Sequence, residues 1–358
     1  MSSLHVLAGV PGVLSAADVA QTAAALVALQ RPSGQIPWFV GGHCDPWNHV
    51  EAAMALTASG HLDAAQAAYD WLARVQFRDG SWFNYYQGDD VKDPRLDTNV
   101  GAYVATGVWH YCLATGDVDA VRRWWPMVQR AMDWVTRWQR PDGSMAWSLD
   151  GRGVTETYAL LTGSSSIYHS LRCAVALADF LEEPRPAWEL AAGRLGHALA
   201  HHPEAFAPKD EFAMDWYYPI LSGAVRGAGA TRRLAASWPR FVMDDLGVRC
   251  VSTNDWITAA ETAETVLTLD AMGERARALE LFACTSRHRL DDGRYLTGIV
   301  YPQRVTFPGL EASSYTAAAV LLAVDALTDS TPAAGLFRHG VVPAAVDWPE
   351  PGCVLAPR

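Results

Sequence analysis

Three turns in this chain repeat one template: a glutamine, three residues, a glycine and soon a tryptophan. They are Gln30, Gly34 and Trp38; Gln76, Gly80 and Trp82; and Gln139, Gly143 and Trp147, with a weaker copy at Asp292-Gly293-Arg294-Tyr295. Gly34 and Gly80 stand 46 residues apart, and Gly80 and Gly143 stand 63 apart. Each step has room for two helices and their loops. Repetition on this scale marks a supersecondary unit that buries its apolar face only against its neighbours.

The segments after these turns share a second feature, a polar and aromatic lead-in to an apolar helix. In His43-Cys44-Asp45-Pro46-Trp47-Asn48-His49-Val50-Glu51, Asp45 and Pro46 predict a helix start. The carboxylate can accept orphan amide hydrogens, and proline at the first position sacrifices no needed donor. Asp97-Thr98-Asn99, Gly163-Ser164-Ser165, Met214-Asp215-Trp216-Tyr217, Thr253-Asn254-Asp255-Trp256 and Leu310-Glu311-Ala312-Ser313-Ser314-Tyr315 open similar runs. Between them lie outer helices, among them the alanine-rich one that ends at Gln30 after the capping-box pattern of Ser15 and Asp18, and the one from Asp63 to about Phe77 with charges on one face. Six buried and six outer helices predict an all-α fold, an (α/α)6 toroid of six helical hairpins whose inner N-termini gather at one mouth. Strand signals are weak: Ile299-Val300-Tyr301 is expected to pair locally and no more. Residues 1–330 read as a single catalytic domain. Residues 331–358, with Pro332, Pro343, Pro349, Pro351 and Pro357, read as a tail packed outside or partly loose.

Composition narrows the function. A net charge of −11 over 358 residues argues against nucleic acid or an anionic membrane as partner. No run approaches the about 18 apolar residues of a membrane span, and Leu4–Val13 lacks the basic flank of a signal peptide. Six scattered cysteines, Cys44, Cys112, Cys173, Cys250, Cys284 and Cys353, read as reduced thiols of a cytoplasmic protein. Fifteen tryptophans is a high count. Trp124, Trp125, Trp134 and Trp138 recur at helical spacing and predict core, whereas Trp38, Trp47, Trp82, Trp147, Trp216 and Trp256 fall at turns or helix starts. Indole faces stack on the apolar faces of sugar rings and leave the hydroxyl rim free for hydrogen bonds.

The glutamine-glycine-tryptophan turns and the polar helix tips resemble the superfamily of six-hairpin glycosidases and prenyltransferase-like toroids, over roughly residues 15–328. The segments Asp-Pro-Trp-Asn-His-Val-Glu, Met-Asp-Trp-Tyr-Tyr-Pro and Asn-Asp-Trp-Ile-Thr-Ala-Ala-Glu more narrowly resemble the mycobacterial methylmannose polysaccharide hydrolases, which are α-endomannosidases. That resemblance implies an enzyme that retrieves or trims an intracellular polysaccharide; no cofactor or metal is expected.

Glycoside hydrolysis needs two carboxyl groups in different protonation states across the anomeric carbon. Asp45, at a helix N-terminus, suits the ionised base. Glu261, about one and a half turns inside its helix among Ala259, Ala260 and Ala263, suits the acid, because partial removal from water favours holding a proton. An inverting pair stands about 6.5–9.5 Å apart and a retaining pair about 5 Å; the expectation is inversion, with the two roles exchangeable. Expected sugar contacts are Trp38, Trp47, Asn48, Trp82, Asp97, Asn99, Asp215, Trp216, Tyr217, Asp255, Trp256, Glu311 and Tyr315. Each has a plainer reading: the aspartates as helix caps, the tryptophans as packing, Glu261 as a buried acid paired to Arg249 or Arg304. Glu51 and Glu264 read as structural. A terpene cyclase would need an Asp-x-Asp-Asp type motif, and none is present. Cys284 with His288, or His43 with Cys44, supply no closed zinc set. A non-catalytic carbohydrate-binding toroid is the remaining alternative.

Overall fold

The computed structural model describes residues 7–348 apart from 151, 157, 339 and 347; Pro349, Pro351, Cys353 and Pro357 lie outside the described residues. Helices follow one another as α1 (Ala16–Leu29), α2 (Pro46–Ala58), α3 (Leu62–Val75), a short α4 (Thr98–Ala102) running into α5 (Val104–Thr115), α6 (Val118–Thr136), α7 (Leu161–Phe180), α8 (Pro186–His201), α9 (Ala213–Leu221), α10 (Gly227–Phe241), α11 (Ala259–Ala271), α12 (Arg275–Ala283) and α13 (Ser314–Thr328). Their packing closes a ring: α2 touches α5, then α7, α9, α11 and α13, and α13 returns to α2. An outer helix flanks each member: α1 lies against α13 and α2, α3 against α2, α6 against α5, α8 against α7, α10 against α9, and α12 against α11 and α13. The fold is an (α/α)6 toroid.

Burial follows the sequence pattern. Every residue of α2 except Asn48, and every residue of α11, is buried, as befits helices surrounded on all sides. Outer α6 instead buries one stripe, including Val121, Trp124, Trp125, Val128 and Met132, and leaves the rest exposed or half-buried.

The repeated turn proves to be the clip between neighbouring outer helices. Gln30 Nε2 donates to the carbonyls of Gly34 and of Ala64 on α3. Gln76 does the same to Gly80 and to Met127 on α6, and Gln139 to Gly143 and to Ala191 on α8. Each glutamine thus fixes its own turn and the next helix at once, with each bond contributing about 1 kcal/mol. The glycines are obligatory there. Gly80 has φ +105, and a Cβ on it would stand 2.0 Å from the carbonyl oxygen of Arg130. The weaker fourth copy closes the circle, because Thr22 of α1 donates to Gly293 O at 2.8 Å and Gln21 to Asp291 O at 2.8 Å.

The strands exceed what the sequence suggested. Hairpin strands β1 (Tyr85–Gln87) and β2 (Asp90–Asp93), and the short pair β3 (Leu96–Asp97) and β4 (Ser148–Leu149), precede a five-stranded antiparallel sheet. Its members are β5 (Val242–Met243), β6 (Gly247–Arg249), β7 (Trp256–Thr258), β8 (Gly298–Val300) and β9 (Val305–Thr306), paired in that order with Ile257 opposite Ile299. The loops before α11 and α13 lie side by side because those helices are neighbours in the ring, so two short hairpins merge into one sheet. The described part of the tail packs on the toroid. Arg172 of α7 donates to Val342 O and Pro343 O, each at 2.8 Å, and Arg338 pairs with Asp270 at 2.7 Å near the end of α11. No helix among the described residues is long and apolar enough to cross a membrane.

Candidate active site

Asp45 caps α2 as its sequence predicts. Its Oδ1 accepts the Asn48 amide at 2.8 Å, while Oδ2 accepts the Asn48 side-chain amide at 2.7 Å and the Trp38 indole N–H at 2.5 Å. The side chain is 2% exposed. Burial raises its carboxyl above the usual aspartate value, and these three donors, with the nearby His43, oppose the rise. Asp97 repeats the device on the next inner helix. It caps α4 through the amides of Asn99 and Val100, and its Oδ2 accepts the Trp147 indole N–H at 2.7 Å. Burial, with a further push from Asp45, raises Asp97 to about 6. Two of the repeated tryptophans therefore each supply an indole donor to an acid at an inner helix tip, Trp38 to the cap of the helix that follows it and Trp147 to the cap of the inner helix that precedes it.

Trp47, in the first turn of α2, lies across the barrel. It stacks on Tyr103 at 4.4 Å, meets Tyr315 of α13 edge-on at 5.7 Å, and donates its indole N–H to Ser166 of α7 at 3.1 Å. Tyr315 also faces Trp38, with ring centroids 6.3 Å apart. Asp215 in the first turn of α9 accepts from the amide and hydroxyl of Thr162 on α7 at 3.1 and 2.5 Å. These bridges between α2, α7, α9 and α13 place the inner N-termini at one end of the ring.

Glu261 lies in the first turn of α11, not one and a half turns inside it, because Trp256–Thr258 form strand β7 and the helix begins at Ala259. It is 7% exposed. Its charge acts on Tyr217, Tyr218 and Tyr315, and its carboxyl receives the Cys250 thiol. Arg249 is not its partner; it pairs with Asp255 at 2.8 Å.

Several expected sugar contacts have other employment. Trp82 is 2% exposed and donates to Leu72 O, which makes it a core residue. Trp216 is 4% exposed, donates to the carbonyls of Arg233 and Leu234, and stacks on Phe241. Asp255 lies just before β7, tied up by Arg249, and Trp256 on that strand donates to Phe307 O; neither sits on a helix tip. Glu311 accepts from Thr297 in the loop before α13. Asn99 stays at the mouth, with a buried Oδ1 that has no protein partner.

Below the mouth lies a group that sequence reasoning assigned to structure alone. Tyr103 donates to Glu51 at 2.6 Å, and Tyr217 and Tyr218 both donate to Glu264. Burial pushes Glu51 up to about 7. Glu264 is raised well above the usual glutamate value by burial and then by the charge of Glu51. A signal was present in the sequence: each is an acid inside an Ala-rich buried run with no lysine or arginine beside it. Among the described residues no group of three or more His, Cys, Asp or Glu is arranged to hold a metal, and His288 instead engages Ile257 O at 3.2 Å.

A closed ring of six hairpins whose acid-bearing tips gather at one end, with Trp38 and Trp147 bonded to the acids Asp45 and Asp97, has the architecture of the (α/α)6 glycosidases. Solved structures agree on the fold: a glycosidase in complex with glucose superposes with a TM-score of 0.68 at 15% identity, over 88% of this chain and 97% of that one. The cellobiose 2-epimerase of Spirochaeta thermophila superposes with a TM-score of 0.64 at 14% identity, over 86% and 93%. No protein-family model matches the chain. Its sequence is 50% identical over 353 residues to the MMP endo-(1,4)-3-O-methyl-alpha-D-mannosidase of Mycolicibacterium hassiacum, covering 99% of this chain and 98% of that protein. The chain belongs to that endomannosidase family and is a glycoside hydrolase.

Proposed function

We propose that this enzyme cleaves an O-methylated α-1,4-mannan internally, in the cytoplasm, by an inverting mechanism in which Glu261 is the general acid and Asp45 the general base. The observation that carries the assignment is the hydrogen-bond inventory of Asp45. Oδ2 is filled by two donors, whereas Oδ1 accepts one, so a single lone pair is left to take a proton from water. The helix N-terminus and the three donors favour the ionised carboxylate, and burial strengthens it as a base.

In the reaction, Glu261 gives its proton to the glycosidic oxygen as the bond to the anomeric carbon breaks. Water attacks that carbon from the opposite face and passes its proton to Asp45, so the anomeric configuration inverts. Return of the proton from Asp45 to Glu261 through solvent resets the pair. Trp38 holds Asp45 in orientation, and Trp47, Asn48, Asp97, Asn99 and Tyr315 are assigned to binding the sugar next to the cleaved bond. The relative's name supplies the substrate class, and a neutral sugar polymer suits a chain of net charge −11 better than a polyanion does.

The test is a panel of α-1,4-mannan, α-glucan and O-methylated mannan oligosaccharides, with products read by mass. Internal cleavage of the methylated mannan supports the assignment. Cleavage of glucan alone, or release of single sugars from a chain end alone, overturns it.

A further inference from the structure

The loop before α2 folds back on itself between Trp38 and His43. The Trp38 amide donates to His43 O at 2.7 Å and the Gly42 amide to Phe39 O at 2.8 Å. Position 42 leaves no room for a side chain, because a Cβ there would stand 2.9 Å from the Phe39 ring. The turn lays the His43 imidazole against the Trp38 indole, with ring centroids 5.0 Å apart and planes tilted by 34°. Phe39 meets the same imidazole edge-on at 6.2 Å, and Tyr85 of β1 closes on it at 4.6 Å. Strand β1 is fixed there by its backbone: the amides of Cys44 and Tyr86 donate to each other's carbonyls at 2.7 and 2.8 Å, and Gln87 Nε2 donates to Gly41 O at 3.0 Å.

Among the described residues the His43 ring makes no hydrogen bond, so its three aromatic neighbours hold it. Burial lowers the proton affinity of the ring below the ordinary histidine value, against the pull of Asp45 and with a further push from Lys92. Above pH 7 it therefore packs on the indole as a neutral aromatic. That indole is the one whose N–H reaches Asp45 Oδ2 at 2.5 Å. Trp38 is only half-buried and stands on a loop, so its rotamer is fixed by what packs on it. The indole at Asp97 is braced in the same manner: Trp147, also half-buried, stacks on Tyr158 at 5.5 Å and lies under the Arg95 guanidinium at 5.3 Å. A group that orients a catalytic carboxylate must be held closely, because small misplacements at a reacting centre cost large factors in rate.

We propose that His43 is a positioning residue for the hydrolysis: its imidazole braces the Trp38 indole on Asp45 Oδ2, which leaves Oδ1 aimed at the attacking water. The inference rests on the assignment of Asp45 as general base and adds to it the side chain that keeps this base in place. His43 acts through the indole, so its effect exists only while Trp38 can donate. An interaction that orients the base for the chemical step is expressed in kcat, with KM little changed.

The experiment measures kcat and KM on a 3-O-methylated α-1,4-mannooligosaccharide for His43→Ala, His43→Leu, His43→Phe, Trp38→Phe and the double variant of Trp38→Phe with His43→Ala. The Trp38 indole proton is followed in parallel by nitrogen-resolved proton NMR, its peak assigned by its loss in Trp38→Phe. His43→Ala and His43→Leu, the second of which keeps the volume but not the ring, should lose about tenfold in kcat with KM within about twofold, the scale of one aromatic pair. In both, the indole proton should leave the downfield position of a carboxylate-bonded N–H. His43→Phe keeps a neutral ring and should recover both readouts. In the Trp38→Phe background, His43→Ala should cost less than about a further twofold, because the brace has no donor left to hold. An unmoved indole proton in His43→Ala and His43→Leu, or additive losses in the double variant, overturns the inference. Full activity of Asp45→Asn would instead fail the base assignment. The NMR then decides the brace by itself: an indole proton displaced in His43→Ala upholds it, and an unmoved one overturns it.

Discussion

Replacing Glu51 by glutamine tests the buried acids directly. Glu51 is enclosed in the second turn of α2, accepts from Tyr103, and is pushed up from an ordinary 4.5 to about 7, chiefly by burial. A carboxyl raised in this way binds its proton in the folded chain at pH values where the unfolded chain has already released it. Between about pH 4.5 and 7 the folded state therefore holds more protons, and stability falls as pH rises through that window. At about 1.4 kcal/mol per unit, a shift of about 2.5 units amounts to a loss of about 3 kcal/mol, complete above pH 7. Glu51→Gln keeps an acceptor for Tyr103 and cannot ionise, so it should match wild type near pH 4.5 and exceed its stability by about 3 kcal/mol at pH 8. Removing the Glu51 charge also relieves Glu264, which acts in the same direction. Urea unfolding of both proteins at four pH values gives the difference between them, so groups common to both cancel. A difference independent of pH, or one growing as pH falls, would refute the reasoning.

Three further outcomes follow from the geometry. Gly80→Ala should destabilise by at least about 2 kcal/mol, because φ is positive and the Arg130 carbonyl occupies the Cβ position. Gly116→Ala, with positive φ but open space, should cost only about 1 kcal/mol, and equal melting temperatures for the two variants would contradict the clip. Trp38→Phe removes the indole donor to Asp45 while keeping a ring, so kcat should fall about ten- to a hundredfold with little change in melting temperature; an unchanged kcat contradicts the role given to Trp38. Arg338→Ala leaves Asp270, whose side chain is 5% exposed, with Arg275 alone. It should cost about 2–3 kcal/mol by urea unfolding, and a loss below about 0.5 kcal/mol would show that the tail contact is incidental.

What could be read from the residues was whatever depends on neighbours in the chain. Asp45 and Pro46 specify a helix start by themselves, and the Gln-Gly-Trp turn recurs because its bonds span four residues and one adjacent helix. What could not be read depends on partners far along the chain. Trp38 and Trp82 end the same motif, yet one indole meets Asp45 and the other Leu72 O, a difference set by how each turn leads into its inner helix. The five-stranded sheet escaped notice because its strands are two or three residues long and show no alternation to detect. Glu51 and Glu264 read as structural when each is taken on its own helix, while their shared environment arises from tyrosines on α9 and α13 and on the short link before α5.

The division of labour between Asp45 and Glu261 is tested most directly by following the products of a methylated α-1,4-mannooligosaccharide by proton NMR from the first seconds of reaction. Wild-type enzyme, Asp45→Asn and Glu261→Gln are compared alongside binding of the intact oligosaccharide. The new reducing end should appear first as the β anomer, and both variants should lose about a thousandfold or more in kcat while still binding substrate. A first-formed α anomer, or either variant within tenfold of wild type, would contradict the account.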